Sequence, residues 1–313
     1  MAEQPASLEK KLTLLDVYAI STGAMFSAGF FLLPGIAAAQ TGPSVFLAYL
    51  AAGLLILPSI LSMAELSTAM PRSGGIYYFM DRSMGPMMGT IGGIGSWLAL
   101  MLKSAFALIG MGAYLALLFD VAVVPLAVGL TVFFGALNAV GAKETTGLLR
   151  VLVATLLGIL VFWLVNGAIT FATDLAANGD GGWVADRLAG STDAGFFSSG
   201  LNGFFATIGF VVVSYAGVTK IASVSEEVVN PDRNIPLGMM LSLATALLIY
   251  GAGVFLMVAY LPAAEFHADY TPIASSAQRF MGWLPGGTVL VLIVVAATAA
   301  SASTGNAGML SAS

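Results

Sequence analysis

This chain contains eight long apolar segments, which restrict it to folds that are stable in a lipid bilayer. About 20 consecutive apolar residues cross a bilayer as a helix, and such runs lie at 14–39, 44–68, 86–119, 121–141, 146–171, 197–220, 236–260 and 286–311. Only 9% of the residues are charged, whereas soluble domains have roughly 25%. The sequence therefore predicts an all-α polytopic membrane protein embedded in the lipid bilayer, with a polar tail over 1–12 and a transmembrane domain over 13–313.

Composition also argues against several classes of function. The net charge of −5 argues against a nucleic-acid partner, and no Lys/Arg tract suggests a polybasic lipid-binding patch. The chain has no cysteine and a single histidine, His267, and its sequence contains no metal-ligand cluster, glycine-rich phosphate loop or Ser/His/Asp set. We therefore predict neither an enzyme nor a cofactor or metal site.

The basic residues favour a cytoplasmic N-terminus. In that orientation the outer face receives only Arg187 and Arg279, and the inner face receives Lys10, Lys11, Arg72, Arg82, Lys143, Arg150 and Arg233. Because Lys and Arg collect on the cytoplasmic side of membrane proteins, we predict a multi-pass protein of the cell membrane. Residues 172–196 then form the longest external loop.

Two of the apolar segments are interrupted by small and polar residues, over Gly23–Gly29 and Ser214–Lys220. In the predicted orientation the first segment runs outward and the sixth runs inward, so the interrupted helices are antiparallel, as an inverted repeat requires. Unwound backbone is tolerated in lipid only where protein or a water-filled cavity covers it. The pair therefore predicts a transport site, although small residues also serve simply to let membrane helices pack closely.

A broken helix offers amides on the half that begins and carbonyls on the half that ends. Amides around Ser27, Ala28 and Gly29 would face a carboxylate. Carbonyls near Met25, Val213 and Ala216 would face an ammonium group or an alkali cation. Two such breaks side by side suit a zwitterion.

Three ordered motifs resemble those of the amino acid-polyamine-organocation permeases. They are Thr22–Phe31 followed by Pro34-Gly35, Glu65–Tyr77, and Ser214–Gly217 followed by Glu226–Pro236. The resemblance implies a leucine-transporter-like inverted five-plus-five helix repeat with broken first and sixth helices. It also implies a secondary active transporter that moves amino acids or related amines by alternating access. Since ten helices make that repeat, we expect the chain to be truncated after about eight.

The resemblance also implies roles for individual residues. Ser27, Ala28 and Gly29 match positions that hold the substrate carboxylate, and Tyr215 falls where the family places an aromatic gate or pocket residue. The predicted substrate-binding set is Met25, Ser27, Ala28, Gly29, Val213, Tyr215, Ala216 and Gly217.

The coupling ion does not follow from the resemblance. Many proton-coupled relatives have a carboxylate where this chain has Thr219, and the fifth segment, with Arg150 at its start, lacks the lysine that replaces sodium in some relatives. Ser301, Ser303 and Thr304 of the eighth segment are candidate oxygen ligands for sodium. Hydroxyls that bond their own helix are the alternative.

Lys103 and Lys220 are the unusual charges near this region. A cation at the depth of Lys103 costs about 2.5 to 3.5 kcal/mol on insertion scales. It could titrate during the cycle, replace a cotransported sodium ion, attract an anionic substrate, or simply bond to carbonyls of a neighbouring helix. Lys220, at the end of the second interruption, could pair with a helix C-terminus or the substrate, or contact water in the access path.

A cluster of charged residues is predicted at the cytoplasmic end of the membrane domain. We interpret it as an inside gate or cap, made of Glu65, Arg72, Glu226, Glu227 and Arg233. Two other functions fit the same features: an inorganic cation transporter of this fold, for potassium or sodium, and a ligand sensor that does not transport.

Overall fold

The computed structural model describes residues 10–72, 74–119, 121–139, 146–178, 182–189, 195–285 and 287–312. Residues 1–9 of the predicted tail and Lys143 lie outside these ranges. The described residues form helices and their connections, with one isolated backbone bridge. The α-helices are α1 Leu14–Met25, α2 Ala28–Phe31, α3 Leu33–Thr41, α4 Val45–Leu55, α5 Leu57–Ala69, α6 Gly75–Met84, α7 Pro86–Phe119, α8 Val123–Ala139, α9 Thr146–Asn178, α10 Gly182–Ala189, α11 Gly200–Val211, α12 Ile221–Val224, α13 Pro231–Tyr260, α14 Ala263–Phe266, α15 Pro272–Phe280 and α16 Thr288–Ala312. Short 3₁₀ segments cover Gly42–Ser44, Val212–Lys220 and Ser225–Glu227.

The helices confirm the prediction of an all-α membrane protein. Within the described ranges, six helical stretches are long and apolar enough to cross a membrane: Leu33–Ala69, Pro86–Phe119, Leu149–Ala177, Gly200–Glu227, Pro231–Tyr260 and Thr288–Gly305. Shorter apolar helices cover Leu14–Met25 and Val123–Ala136. Within the predicted external loop 172–196, α9 continues to Asn178 and α10 covers Gly182–Ala189.

The chain reverses at Gly42, inside the first of these stretches. Gly42 has a φ of 70°, which glycine adopts without the steric cost that other residues meet. The amide of Ser44 donates to Phe196 O at 3.2 Å, and the amide of Ser198 donates to Thr41 O at 3.2 Å. Consequently α1, α2 and α3 form the first predicted segment, and α4 with α5 forms the second.

Backbone contacts join the start of α1 to the chain that follows α12. The amides of Lys11 and Leu12 both donate to Glu227 O at 2.9 Å, and the amide of Val229 donates to Leu12 O at 2.9 Å. We call this side of the bundle the Thr13 end. Since α1 begins there and the stretch Gly200–Glu227 ends there, the two interrupted segments are antiparallel, as predicted.

An ion pair fixes α9 to α1 at the same end. Thr13 caps α1 through its amide and hydroxyl, which donate to Asp16 Oδ2 at 2.8 and 2.7 Å. Arg150 Nη2 donates to the same carboxylate at 2.6 Å. The Asp16 side chain is only 1% exposed, whereas that of Arg150 is 47% exposed. Removing Arg150 would therefore leave a buried carboxylate without its counter-ion.

The long helix α13 occupies the middle of the bundle. Its glycines meet three other helices, α1, α4 and α2: a Cβ added to Gly238 would lie 2.5 Å from Val17, one at Gly251 would lie 2.5 Å from Leu50, and one at Gly253 would lie 2.7 Å from Phe30. Small residues allow such close approach between membrane helices. As a result α13 contacts both sides of the first interruption.

Candidate functional site

The first interruption is shorter than predicted. Helix α1 ends at Met25 and α2 begins at Ala28, so only Phe26 and Ser27 depart from helical geometry. The carbonyl of Ser27 accepts the amides of Phe30 and Phe31 at 3.0 and 3.1 Å. The first amides of a helix have no partner within it, which leaves those of Ser27, Ala28 and Gly29 at the break.

The second interruption is a 3₁₀ helix, Val212–Lys220, rather than open backbone. One side-chain hydrogen bond stays within it: the hydroxyl of Thr219 donates to Ala216 O at 2.8 Å. A carbonyl oxygen has two lone pairs, so Ala216 retains capacity for a second donor. The side chain of Val213 is 48% exposed.

The two interruptions touch each other through glycine. A Cβ added to Gly217 would overlap the carbonyl group of Ala24, and one added to Gly29 would lie 2.7 Å from Ser214 Oγ. Ser214 Oγ donates to Gly29 O at 3.1 Å. The backbones of the first and sixth segments are therefore in direct contact at their breaks.

Tyr250 of α13 joins the two breaks, and sequence reasoning missed it. Its hydroxyl donates to Met25 O at 2.8 Å and lies 3.5 Å from Ser214 O. Its ring stacks on Phe30 with centroids 5.0 Å apart and meets Phe26 edge-on at 5.0 Å. The Met25 carbonyl, predicted to be available to a substrate ammonium group, is thus already an acceptor.

Tyr49 and Tyr215 complete this buried cluster. The Tyr49 hydroxyl donates to Gly29 O at 2.8 Å, and the Tyr215 hydroxyl donates to Tyr49 O at 2.9 Å. Tyr215 lines neither of the two cavities described below, although we predicted a gate or pocket residue there. Tyr49 and Tyr250 could have been found in the sequence as tyrosines inside apolar segments, because a buried tyrosine hydroxyl needs a hydrogen-bond partner.

Replacing Tyr250 with phenylalanine tests the bridge between the breaks. The ring contacts should remain, but the loss of the hydrogen bond to Met25 O should lower stability by about 1 to 2 kcal/mol. Thermal unfolding in detergent measures the change. Tyr18→Phe is the matched control, because its hydroxyl bonds Thr245 Oγ1 at 3.0 Å in a partly buried position away from the breaks. Equal or smaller destabilisation by Tyr250→Phe would contradict the assignment.

Two neighbouring cavities adjoin the breaks. A small one of about 40 Å³ lies directly against the interruptions and is bordered by Ala24, Leu100, Lys103, Ser104, Ala216, Gly217, Thr219, Lys220 and Thr304. A larger one of about 410 Å³ extends from Leu100, Lys103 and Lys220 to α6 and α12. The structure thus brings together the three predicted coupling or charge candidates, Lys103, Thr219 and Lys220.

The candidate ion ligands lie beside the first interruption. Ser301, Ser303 and Thr304 are all buried. Thr304 Oγ1 donates to Gly23 O at 3.1 Å, and a Cβ on Gly23 would lie 3.3 Å from Ser303 Oγ. Ser301 Oγ is buried and has no hydrogen-bond partner among the described residues.

The predicted gate residues lie at the Thr13 end. Glu227 contributes its carbonyl to the bonds with Lys11 and Leu12. The side chains of Glu65, Arg72 and Arg233 are exposed, and in the described part of the chain Glu65 and Arg72 form no ion pair. The ion pair present at this end, Asp16 with Arg150, was not predicted, and the only signal was a carboxylate three residues after a capping threonine.

Nearly the whole chain is similar to known proteins. Residues 12–313 match the family model described as amino acid permease. The chain is 30% identical to a vacuolar cationic amino acid transporter of Arabidopsis thaliana over 297 residues, which cover 88% of this chain and 45% of the relative. It is 26% identical to a branched-chain amino acid permease of Bacillus subtilis over 298 residues, which cover 92% of this chain and 64% of the relative. The chain spans about half the length of the curated relatives it matches, and it belongs to the amino acid permease family.

Proposed function

We propose that this chain carries the substrate-binding part of a secondary active transporter that moves amino acids or related amines by alternating access. The observation that carries the proposal is the contact between two antiparallel broken helices, where Gly217 meets the Ala24 carbonyl and Gly29 meets Ser214. Irregular backbone at membrane depth is characteristic of transporter binding sites. Membership of the amino acid permease family supports the same substrate class.

The proposal gives each side of the contact a different role. The amides of Ser27, Ala28 and Gly29 hold the substrate carboxylate, because they belong to the start of a helix. Ala216 borders both cavities, and in this proposal its carbonyl receives the ammonium group. Met25 contributes less directly, because Tyr250 already donates to its carbonyl.

Access to the site is proposed from the Thr13 end. The larger cavity runs from Lys103 past Gly75 to Ser223, and we place this end in the cytoplasm of a cell-membrane protein because basic residues collect there. Glu65, Arg72, Glu226, Glu227 and Arg233 form the gate in this proposal. Ser301, Ser303 and Thr304 are the candidate ligands if sodium is the coupling ion.

The relatives do not agree on the substrate side chain. One is named a cationic and another a branched-chain amino acid transport protein. The proposed site therefore recognises the backbone groups that these substrates share.

Uptake by the full-length protein in proteoliposomes tests the proposal. We expect saturable uptake of radiolabelled leucine, lysine or glutamate, and counterflow when unlabelled amino acid is loaded inside, because a carrier alternates between two exposed states. Sodium gradients, proton gradients and no gradient are compared to identify coupling, with protein-free vesicles as the control. Potassium or sodium flux without amino acid uptake would support the inorganic cation transporter instead. Binding of an amino acid without uptake or counterflow would support the sensor.

A further inference from the structure

Lys103 is a buried cation whose ammonium group has no hydrogen-bond partner in the part of the chain that the structure describes. It lies in the middle of α7 (Pro86–Phe119). An ammonium group at this depth normally pairs with another group or faces a cavity. Lys103 borders both cavities at the helix breaks, so the missing partner has room to bind there.

The surroundings of Lys103 add positive charge. Lys220 borders the same two cavities, so a second basic side chain adjoins the space beside Lys103. In the described part of the chain no aspartate or glutamate borders either cavity. Like charges held close together in a desolvated site oppose each other, and an anion placed there would reduce that repulsion.

The position of Lys103 relates this charge to the first break. A Cβ added to Gly110 would lie 3.2 Å from Ala28 Cβ, so α7 packs on α2 at that level. Seven residues separate Gly110 from Lys103, which is close to two turns and about 10 Å along one helix face. Lys103 therefore lies on the same face of α7 as Gly110, displaced from Ala28 towards the Thr13 end. A side chain that projects from a substrate at the break would meet it there.

We propose that Lys103 and Lys220 form an anion subsite that selects amino acids with a carboxylate side chain, the class of aspartate and glutamate. This inference rests on the proposed function and extends it from the shared backbone groups to the side chain. A carboxylate can accept charge-assisted hydrogen bonds from both lysines. A basic side chain would add a third cation, and a neutral one would leave Lys103 uncompensated.

Binding of glutamate, glutamine and lysine to the wild-type full-length protein tests the inference. Glutamine has nearly the shape of glutamate without its charge, so we expect glutamate to bind about tenfold or more tightly than glutamine, and lysine to bind most weakly. Ligand-dependent thermal stabilisation and competition with labelled glutamate uptake provide two readouts. If glutamine or lysine binds as well as glutamate, the subsite is wrong and the transporter proposal stands. If none of the three binds but leucine is taken up, the subsite alone is wrong, and if leucine is not taken up either, both proposals fail.

Single-residue variants locate the selectivity. We expect Lys103→Gln and Lys220→Gln each to weaken glutamate binding by about tenfold and to leave glutamine binding nearly unchanged. Lys103→Arg keeps the charge and should retain most of the preference for glutamate. Lys10→Gln is the matched control, because it removes one positive charge from an exposed residue at the Thr13 end. An unchanged preference for glutamate over glutamine in properly folded Lys103→Gln protein would overturn the assignment. If that variant does not fold, the comparison of glutamate, glutamine and lysine on the wild-type protein remains the test.

Discussion

Replacing Gly217 with alanine is expected to abolish transport and to destabilise the protein more than other changes of one methyl group. The added Cβ would overlap the Ala24 carbonyl and lie 2.5 Å from the Met25 amide nitrogen. These are backbone atoms, so no side chain can rotate away, and the first and sixth segments must separate. Overpacking typically costs about 1 to 3 kcal/mol, and we expect the upper end. Displacement of binding groups by about 1 Å can reduce rates about 100-fold.

A neighbouring glycine provides the control for this prediction. Gly209 lies in α11 of the same segment, and a Cβ added there has no atom within 4 Å. Neither glycine has a positive φ, so both backbones accept alanine and only the available space differs. Gly209→Ala should stay within about 1 kcal/mol of wild type. Thermal unfolding and uptake are measured for both variants. Similar thermal stability and uptake of the two variants would show that the breaks are not in close contact.

The second large effect is expected for Arg150→Ala. The change leaves Asp16, which is 1% exposed, bonded to Thr13 but without its positive partner. An uncompensated buried charge costs about 3 to 5 kcal/mol, and the remaining bonds from Thr13 favour the lower value. Because this pair fixes α9 to α1 at the Thr13 end, the start of α1 should also become accessible to protease or exchange more rapidly.

The ion pair of Arg279 with Glu265 is the control. Its two side chains are 40% and 47% exposed, at a nitrogen–oxygen distance of 2.6 Å, which equals that between Arg150 Nη2 and Asp16. Exposed pairs contribute about 0 to 1 kcal/mol, so Arg279→Ala should hardly change thermal stability. Comparable losses in the two variants would mean that burial of Asp16 does not govern the strength of its pair.

The sequence contained enough information for the helices and for the location of the breaks. Apolar runs define the segments, and small residues mark where helices stop. The size of each break depended on contacts that the local sequence does not specify. The first is confined to Phe26 and Ser27 because α2 restarts at Ala28, whereas the second remains helical in a tighter form.

Contacts between distant segments were beyond sequence reasoning. Tyr250 was visible as a tyrosine in an apolar run, but its partner Met25 lies 225 positions earlier. Asp16 and Arg150 are 134 positions apart. Lys103 and Lys220 were recognised separately as unusual charges, and only the packing of α7 beside the 3₁₀ segment brings them to the same cavities.

The bridge between Leu12 and Val228 has a consequence for biosynthesis. About two hundred residues separate its two sides, and ribosomes add about 5 to 20 residues per second, so Leu12 waits about 10 to 40 s for its partner. During that interval its backbone donors and acceptors are available to water or to chaperones. Leu12 is therefore synthesised well before Val228, and their bridge forms only after the sixth segment has been made.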